Sequence, residues 1–521
     1  MRIKNKARLQ SHGNKKGRRQ ILEILEAGME AADPYYNTLS LISLENDRFL
    51  HVGKREFVPA GSPKTEEECY ELGKDVERIF VFGAGKGIHR IAEAIEERLG
   101  KHLTGGMVIL KHGDEHRLGK VSVVFGSHPV PDQSCVDSSR RLAGEIRRLR
   151  LTKRDLVFTI IGNGSSSLMT LPREGMSVED VREVTRILQI EKGLATPELN
   201  MVRNQLDQLK GGGITRLLQP ASLVHLIPID LDEPNALGGV GYDGLMKNNF
   251  WLHTLPDCSS PEKAMEIIER YQVREKLPGT VTEFLLKTQG KNNVLTEKEF
   301  SRYNCRIFGI MPDGASFLPK AMEKARKLGY SPYLLTKRTF VEAKTAGQLA
   351  ARIAVNVERE GQPFKAPCAL FMTGELTVAV NGETGIGGRN QEFALSGAEI
   401  IAGSPHIVIA AADTDGTDGP GGCFDEEAWE LGCKNLTGGI VDGDTAKEAR
   451  ERGICLKDAL ARHNTSGPLW KLDSGIWATQ NISIQDLIVL LIMDGNTGEH
   501  KVRSNPVSEG SKDLLPPASS D

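Results

Sequence analysis

"RIFVFGAGKGIHRIAEAIEERLG", residues 78–100, changes its period half-way along. Ile79 to Phe82 form a continuous apolar run without alternation, the pattern of a strand covered on both faces. After Gly83-Ala84-Gly85-Lys86-Gly87, apolar residues return at helical spacing, at Ile88, Ile91, Ala92, Ile95 and Leu99. Such a strand running straight into an amphipathic helix is half of a βαβ unit. The strand pattern recurs in "VSVVFG" (121–126), "DLVFTIIGNG" (155–164) and "SLVHLIPIDLD" (222–232). A second series follows in "CRIFGIM" (305–311), "CALFMTG" (368–374), "IVIAAADTDG" (407–416) and "LIVLLIMD" (487–494). Helical stretches such as 319–330 and 344–360 stand between them. The chain therefore reads as an α/β protein: two lobes with largely parallel sheets flanked by helices, and an active cleft between them.

A length of 521 residues exceeds one ordinary core. The polar stretch 280–304 separates the two series, so the expected division is an N-terminal lobe of 21–295 and a C-terminal lobe of 296–494. Residues 1–20, with eight Lys or Arg in the first nineteen, read as a basic arm. Residues 495–521 have the composition of a disordered tail. A net charge of −3 gives no reason to expect nucleic acid. With no run of membrane-spanning length and no secretory h-region, no membrane partner is expected, and the reading is a cytoplasmic protein. Eight cysteines without a C-x-x-C read as reduced thiols.

In open parallel sheets, ligands bind beyond the carboxyl ends of the strands. The Gly83–Gly87 turn with Lys86 can hold an anion. It is no Walker loop, because no Ser or Thr follows Lys86, and Ile88 spoils a dinucleotide fingerprint. Gly162-Asn163-Gly164-Ser165-Ser166 reads either as a nest for phosphate or as a plain Gly/Ser turn. His128 reads equally as structural or functional. In "NMVRNQLDQLKGGG" (200–213), Arg203 and Lys210 stand seven apart, as on one side of a helix, with Gly211 and Gly212 following. Asp230 emerges from an apolar strand end, where a catalytic base or a metal carboxylate would sit, with Asp232 and Glu233 beyond it. "DTDGTDGP" (413–420) begins like a calcium loop, but Gly416 comes too early; a magnesium or substrate loop and a simple Asp-Gly turn remain open. In "GIGGRNQEF" (385–393), Gly387 and Gly388 admit close approach, and the Arg389 fork suggests an anion. Together these loops are equipment for positioning and neutralising a phosphoryl group.

The order of motifs resembles the glycerate kinases of the glycerate 2-kinase type, whose carboxyl-terminal part is called MOFRL. "GAGK", "HPVPD", "NMVRNQL…LKGGG", "GELTVAVNGETGIGGRNQEFAL" and "TDGTDGP" carry the likeness from about Ala27 to Asp494. The resemblance implies ATP-dependent phosphorylation of D-glycerate or a related small hydroxy acid, with Mg²⁺. It makes Lys86, Asp230 and Arg389 the catalytic set, the two cations neutralising the substrate carboxylate and the transferred phosphoryl, and Asp230 orienting or deprotonating the hydroxyl. Gly162, Asn163, Gly164, Ser165, Ser166, Lys210, Gly211 and Gly212 would hold the nucleotide. Gly85, Arg203, Gly388 and Asn390 would hold the acid, with Asp230 and Asp415 as candidate metal ligands. The chain departs from the family at "IGNGSSS" (161–167), "IDLDEP" (229–234) and "WATQNISIQD" (477–486). These changes motivate an alternative, a kinase-like protein that binds nucleotide or acid without turnover. Hydroxypyruvate reductase is a more distant alternative.

Overall fold

In the computed structural model, residues 2–128, 130–231, 241–312, 317–380, 384–482 and 485–494 are described. Asp232, Glu233 and the tail from Gly495 lie outside them. Strands β1 (Ile42–Glu45), β2 (Phe49–Val52) and β3 (Glu68–Glu71) form an antiparallel meander. The first large sheet contains β4 (Arg78–Ala84), β5 (Gly105–Lys111), β6 (Ser122–Gly126), β7 (Asp155–Ile161), β8 (Ser222–Ile227) and β9 (Cys305–Gly309). Its order is β6-β5-β4-β7-β8-β9, and every pairing is parallel. The helix His89–Leu99 buries Ile91, Ala92 and Ile95 against this sheet, as the 78–100 stretch implies.

The second sheet contains β10 (Ser331–Thr336), β11 (Cys368–Gly374), β12 (Ile407–Asp413), β13 (Gly438–Asp442), β14 (Gly475–Ile476) and β15 (Asp486–Ile492), in the order β10-β11-β15-β12-β13-β14. The α/β class is as expected, but this sheet is mixed. Only β10 and β11 pair in parallel, and β15 runs antiparallel to both β11 and β12. A strand buried on both faces is apolar whichever way it runs, so its composition hides its direction.

Two further differences concern connectivity. "CRIFG" (305–309), which the sequence groups with the second series, pairs with β8, so the first sheet is completed beyond residue 295. The basic N-terminal stretch is not a free arm. Ile3 bridges to Ala478, and the helix Lys15–Ala31 lays Ile21, Leu22 and Leu25 over Val408, Leu487 and Val489 of the second sheet. Arg18 is fully buried and ion-paired with Asp442. The alternation of Lys and Arg with small residues conceals a helix whose apolar face completes a core.

All eight cysteines are free. Among the described residues, no helix is long and apolar enough to cross a membrane.

Candidate active site

Because β4, β7 and β8 are parallel neighbours, the loops that follow them leave the same sheet edge. The first two loops are stitched together: the Lys86 backbone N–H donates to the Asn163 carbonyl at 2.8 Å. A Cβ on Gly85 would lie 2.8 Å from Gly162 Cα, so this approach requires glycine. The Lys86 ammonium then reaches across to the other sheet and donates to Asp415 Oδ2 at 2.8 Å. Burial opposes its charge, yet Asp415 and Asp413 outweigh that and hold Lys86 above the usual lysine range. His128, on the loop after β6, closes one side. A Cβ on Gly164 would sit 3.0 Å from His128 Cδ2 and 3.1 Å from Lys86 Cγ. Burial, with Lys86, Lys111 and Arg203 nearby, drives the imidazole down to about 3, so it is neutral at pH 7.

The second sheet supplies the facing wall. Antiparallel register sets Asp486, at the start of β15, beside Gly374 at the end of β11 and Asp413 at the end of β12. Arg389 opens the helix Arg389–Gly397 above them. Its Nε donates to Asp486 Oδ1 at 3.0 Å, its Nη2 to Asp413 Oδ2 at 2.8 Å and its Nη1 to Glu375 Oε1 at 2.9 Å. Asp418 accepts the backbone N–H groups of Asn390 and Gln391, at 3.2 and 2.9 Å, at the start of the same helix. Burial pushes the Asp418 carboxyl up to about 7, although Arg389 pulls it down. Lys86 and Arg389 lie within each other's field across the junction of the sheets. Two preorganised cations held by buried carboxylates suit a centre where negative charge moves.

Asp230 is half-buried just beyond β8, two strands from Lys86 on the same edge, or about 10 Å at ordinary strand spacing. Arg203 is buried and donates from Nη2 to the Ser166 carbonyl at 2.7 Å, beneath the Gly162–Ser166 loop.

Other expectations are corrected. The helix Thr196–Gln205 ends before Lys210, so Arg203 and Lys210 do not share a helix face. Lys210 is 1% exposed, and its ammonium donates to Asp207 and Thr170. Gly211 and Gly212 are packed under Val294 and Leu295, whose side chains a Cβ would meet at 2.5 and 2.2 Å. The close packing there requires glycine at both positions. Asn390 is fully buried and donates to Asp486 and Asp418, and a Cβ on Gly388 would meet Asp418 Cγ at 2.3 Å. Both build the seat of Arg389. Asp415 is committed to Lys86 and Thr417. Among the described residues, no group of three or more His, Cys, Asp or Glu side chains could hold a metal ion.

Sequence reasoning missed Asp486, which holds Arg389. A carboxylate opening the apolar run "DLIVLLI" was a usable signal for Asp486.

Residues 20–237, most of the first sheet, match the model of a domain of unknown function, DUF4147, and residues 368–481 match the MOFRL family. The D-glycerate 2-kinase of Thermotoga maritima is 31% identical over 423 residues, covering 80% of this chain and 92% of the relative. The chain belongs to the glycerate 2-kinase family. The glycerate 2-kinase of Pyrococcus horikoshii is 29% identical, over 92% of this chain and 97% of the relative. The crystal structure of glycerate kinase from Thermotoga maritima superposes with a TM-score of 0.67 at 27% identity, covering 91% of this chain and 99% of that one. Membership of the glycerate 2-kinase family places the chain among phosphotransferases that take an alcohol group as acceptor.

Proposed function

We propose that the protein transfers the γ-phosphoryl group of ATP to a hydroxyl of D-glycerate or a closely related small hydroxy acid. The observation that carries this reading is the 2.8 Å bridge from Lys86 to Asp415, which sets the glycine-rich loops of one sheet against the Arg389 wall of the other. Lys86 and Arg389 neutralise charge on the group in transfer, and three carboxylates hold the Arg389 guanidinium in one orientation. Asp230 orients the attacking hydroxyl or accepts its proton. Gly162, Asn163 and Gly164, which cross over Lys86 and His128, suit the phosphate chain of the nucleotide, which supplies the phosphoryl group. Among the described residues no side-chain cage for Mg²⁺ is formed, and a kinase metal is ordinarily held largely by the phosphates it accompanies. No step is assigned to it.

The test is ATP consumption over a panel of small hydroxy acids, with the phosphorylated position read by NMR. Transfer to D-glycerate is expected. Nucleotide binding without transfer to any acid would favour the non-catalytic alternative, which the rebuilt loop Gly162–Ser167 motivates.

A further inference from the structure

The helix Arg389–Gly397 begins without a cap of its own. Gly388 stands at its N-cap position and has no side chain to offer the N–H groups of the first turn. Its backbone does not call for glycine, because φ −167° and ψ 165° are extended values that any residue adopts. Space does. A Cβ on Gly388 would lie 2.3 Å from both Cγ and Oδ2 of Asp418. The room is taken by a cap from elsewhere in the chain. Asp418, on the loop after β12, accepts from the Asn390 N–H through Oδ1 and from the Gln391 N–H through Oδ2. Those are the two donors that an N-cap side chain serves. Gln391 answers from the third helical position, where its Nε2 donates to the Asp418 carbonyl at 3.1 Å. A capping box makes such a reciprocal pair within one segment, and here it joins two. Asp418 is itself fixed: it is 2% exposed, and its N–H donates to the Leu436 carbonyl at 2.8 Å.

We propose that Asp418 caps this helix in trans and is thereby a positioning residue for Arg389, acting on the reaction only through that guanidinium. The inference rests on the kinase reading above and adds a residue to its machinery. Arg389 is the first residue of the helix, so whatever fixes the first turn fixes the point from which its side chain departs. The same loop carries Asp413, which accepts from Arg389, and Asp415, which accepts from Lys86. Asp413 and Asp415 hold the two cationic groups directly, and Asp418 holds the backbone behind one of them. The two segments also touch along their backbones, since a Cβ on Gly419 would lie 1.9 Å from the Gly387 carbonyl oxygen. Capping from this loop therefore ties Arg389 to the segment that seats Lys86. Phosphoryl transfer depends on positioning and charge neutralisation, so the placement of both cations is what such a brace protects.

The test compares wild type with Asp418→Ala, Gly388→Ser and the double variant, by steady-state kinetics and by hydrogen exchange over residues 388–397. Asp418→Ala should lower kcat about tenfold or more and leave KM for ATP and D-glycerate within about threefold. It should also speed exchange at the start of the helix. Gly388→Ser alone should lower kcat, because its side chain meets Asp418. In the double variant the serine enters the space that Asp418 leaves and caps the helix locally. Exchange should slow again, and kcat should rise about threefold or more above that of Asp418→Ala, two harmful changes compensating each other. If Asp418→Ala does not fold, Asp418→Asn carries the test. It keeps the shape but sets an amide donor against one of the two N–H groups, so kcat should fall about threefold or more with KM kept. Wild-type kcat, unchanged exchange, a loss confined to KM, or a double variant no better than Asp418→Ala would each overturn the positioning role. The two readings fail separately. Wild type that phosphorylates no hydroxy acid sinks the kinase reading, and exchange still decides the cap. Active wild type with an unperturbed Asp418→Ala sinks the positioning role alone.

Discussion

Arg389 sits on a glycine-rich loop, a setting that suggests a solvent-facing charge removable without harm. Its neighbours say otherwise. Asp413 and Asp486 are 4% and 0% exposed, and both spend an oxygen on the guanidinium. Arg389→Ala should therefore lower turnover by about a hundredfold or more and also destabilise the fold by about 3 kcal/mol, because two carboxylates lose their buried partner. Steady-state kinetics and urea unfolding on one preparation check both halves, and normal stability would refute the structural half. Asp230 gives a cleaner chemical test. Asp230→Asn keeps the shape and removes the proton acceptor, so ATP should still bind while phosphoryl transfer in a single turnover slows strongly. Weakened nucleotide binding with rescue by added Mg²⁺ would instead make Asp230 a metal ligand. No change in either quantity would remove it from the mechanism.

Among the elements, the helix Lys15–Ala31 departs furthest from its sequence reading. Its charge density suggests a basic arm, but Gly17 lies against Val408, and Arg18 is fully enclosed with Asp442, Ser474 and the Leu9 carbonyl around it. Breaking a buried pair from one side typically costs 3–5 kcal/mol, and Arg18→Ala should fall in that range by chemical denaturation. A loss under about 1 kcal/mol would mean the pair is not enclosed in solution. The strand β15 shows the other limit of pattern reading. "DLIVLLI" is unmistakably a buried strand, yet only its antiparallel placement brings Asp486 to the ends of β11 and β12, under Arg389. Had it run parallel, that carboxylate would lie at the opposite edge of the sheet.

Across the whole molecule the two sheets are tied at their facing ends. Lys86 pairs with Asp415, Arg90 with Asp33, and Ile482 from the second unit enters the apolar cluster around Ile88 and Ile91. Backbone contact is equally close, since a Cβ on Gly87 would meet the Asn481 carbonyl at 2.4 Å. The interior is also pH-sensitive in a definite direction. His225 lies inside β8, bonded to Thr159 at 2.6 Å, and burial drives it down to about 3. An unfolded histidine titrates near 6.5, so the unfolded chain binds the extra proton first. The stability tied to a neutral His225 is full above about pH 6.5 and is lost as pH falls toward 3, at about 1.4 kcal/mol per pH unit. His225→Gln should flatten that acid limb, seen as a wild-type-minus-variant stability difference that shrinks from pH 6 to pH 4. A difference constant over that range would show that His225 is not held neutral.

Local order was legible because its causes are local. The strand–turn–helix of residues 78–100 needs only the apolar run, the glycines and the 3.6-residue period, and the ordered strings "HPVPD" and "TDGTDGP" were enough to indicate the family. Lys86, Arg389 and Asp230 stood out as candidates because glycine turns and strand-end charges leave marks in a single stretch of chain, and the family likeness grouped them. The sheet that β9 joins, the direction of β15 and the partner of Arg18 depend on contacts between residues hundreds of positions apart. A strand buried on both faces reads the same in either sheet and in either direction. Lys210 and Arg203 look alike in sequence, as basic residues near glycines, and tertiary structure alone separates them: Asp207 neutralises Lys210, while Arg203 is enclosed and donates to the Ser166 carbonyl. Burial and pairing are properties of what packs around a side chain, and that is settled only when the chain has closed on itself.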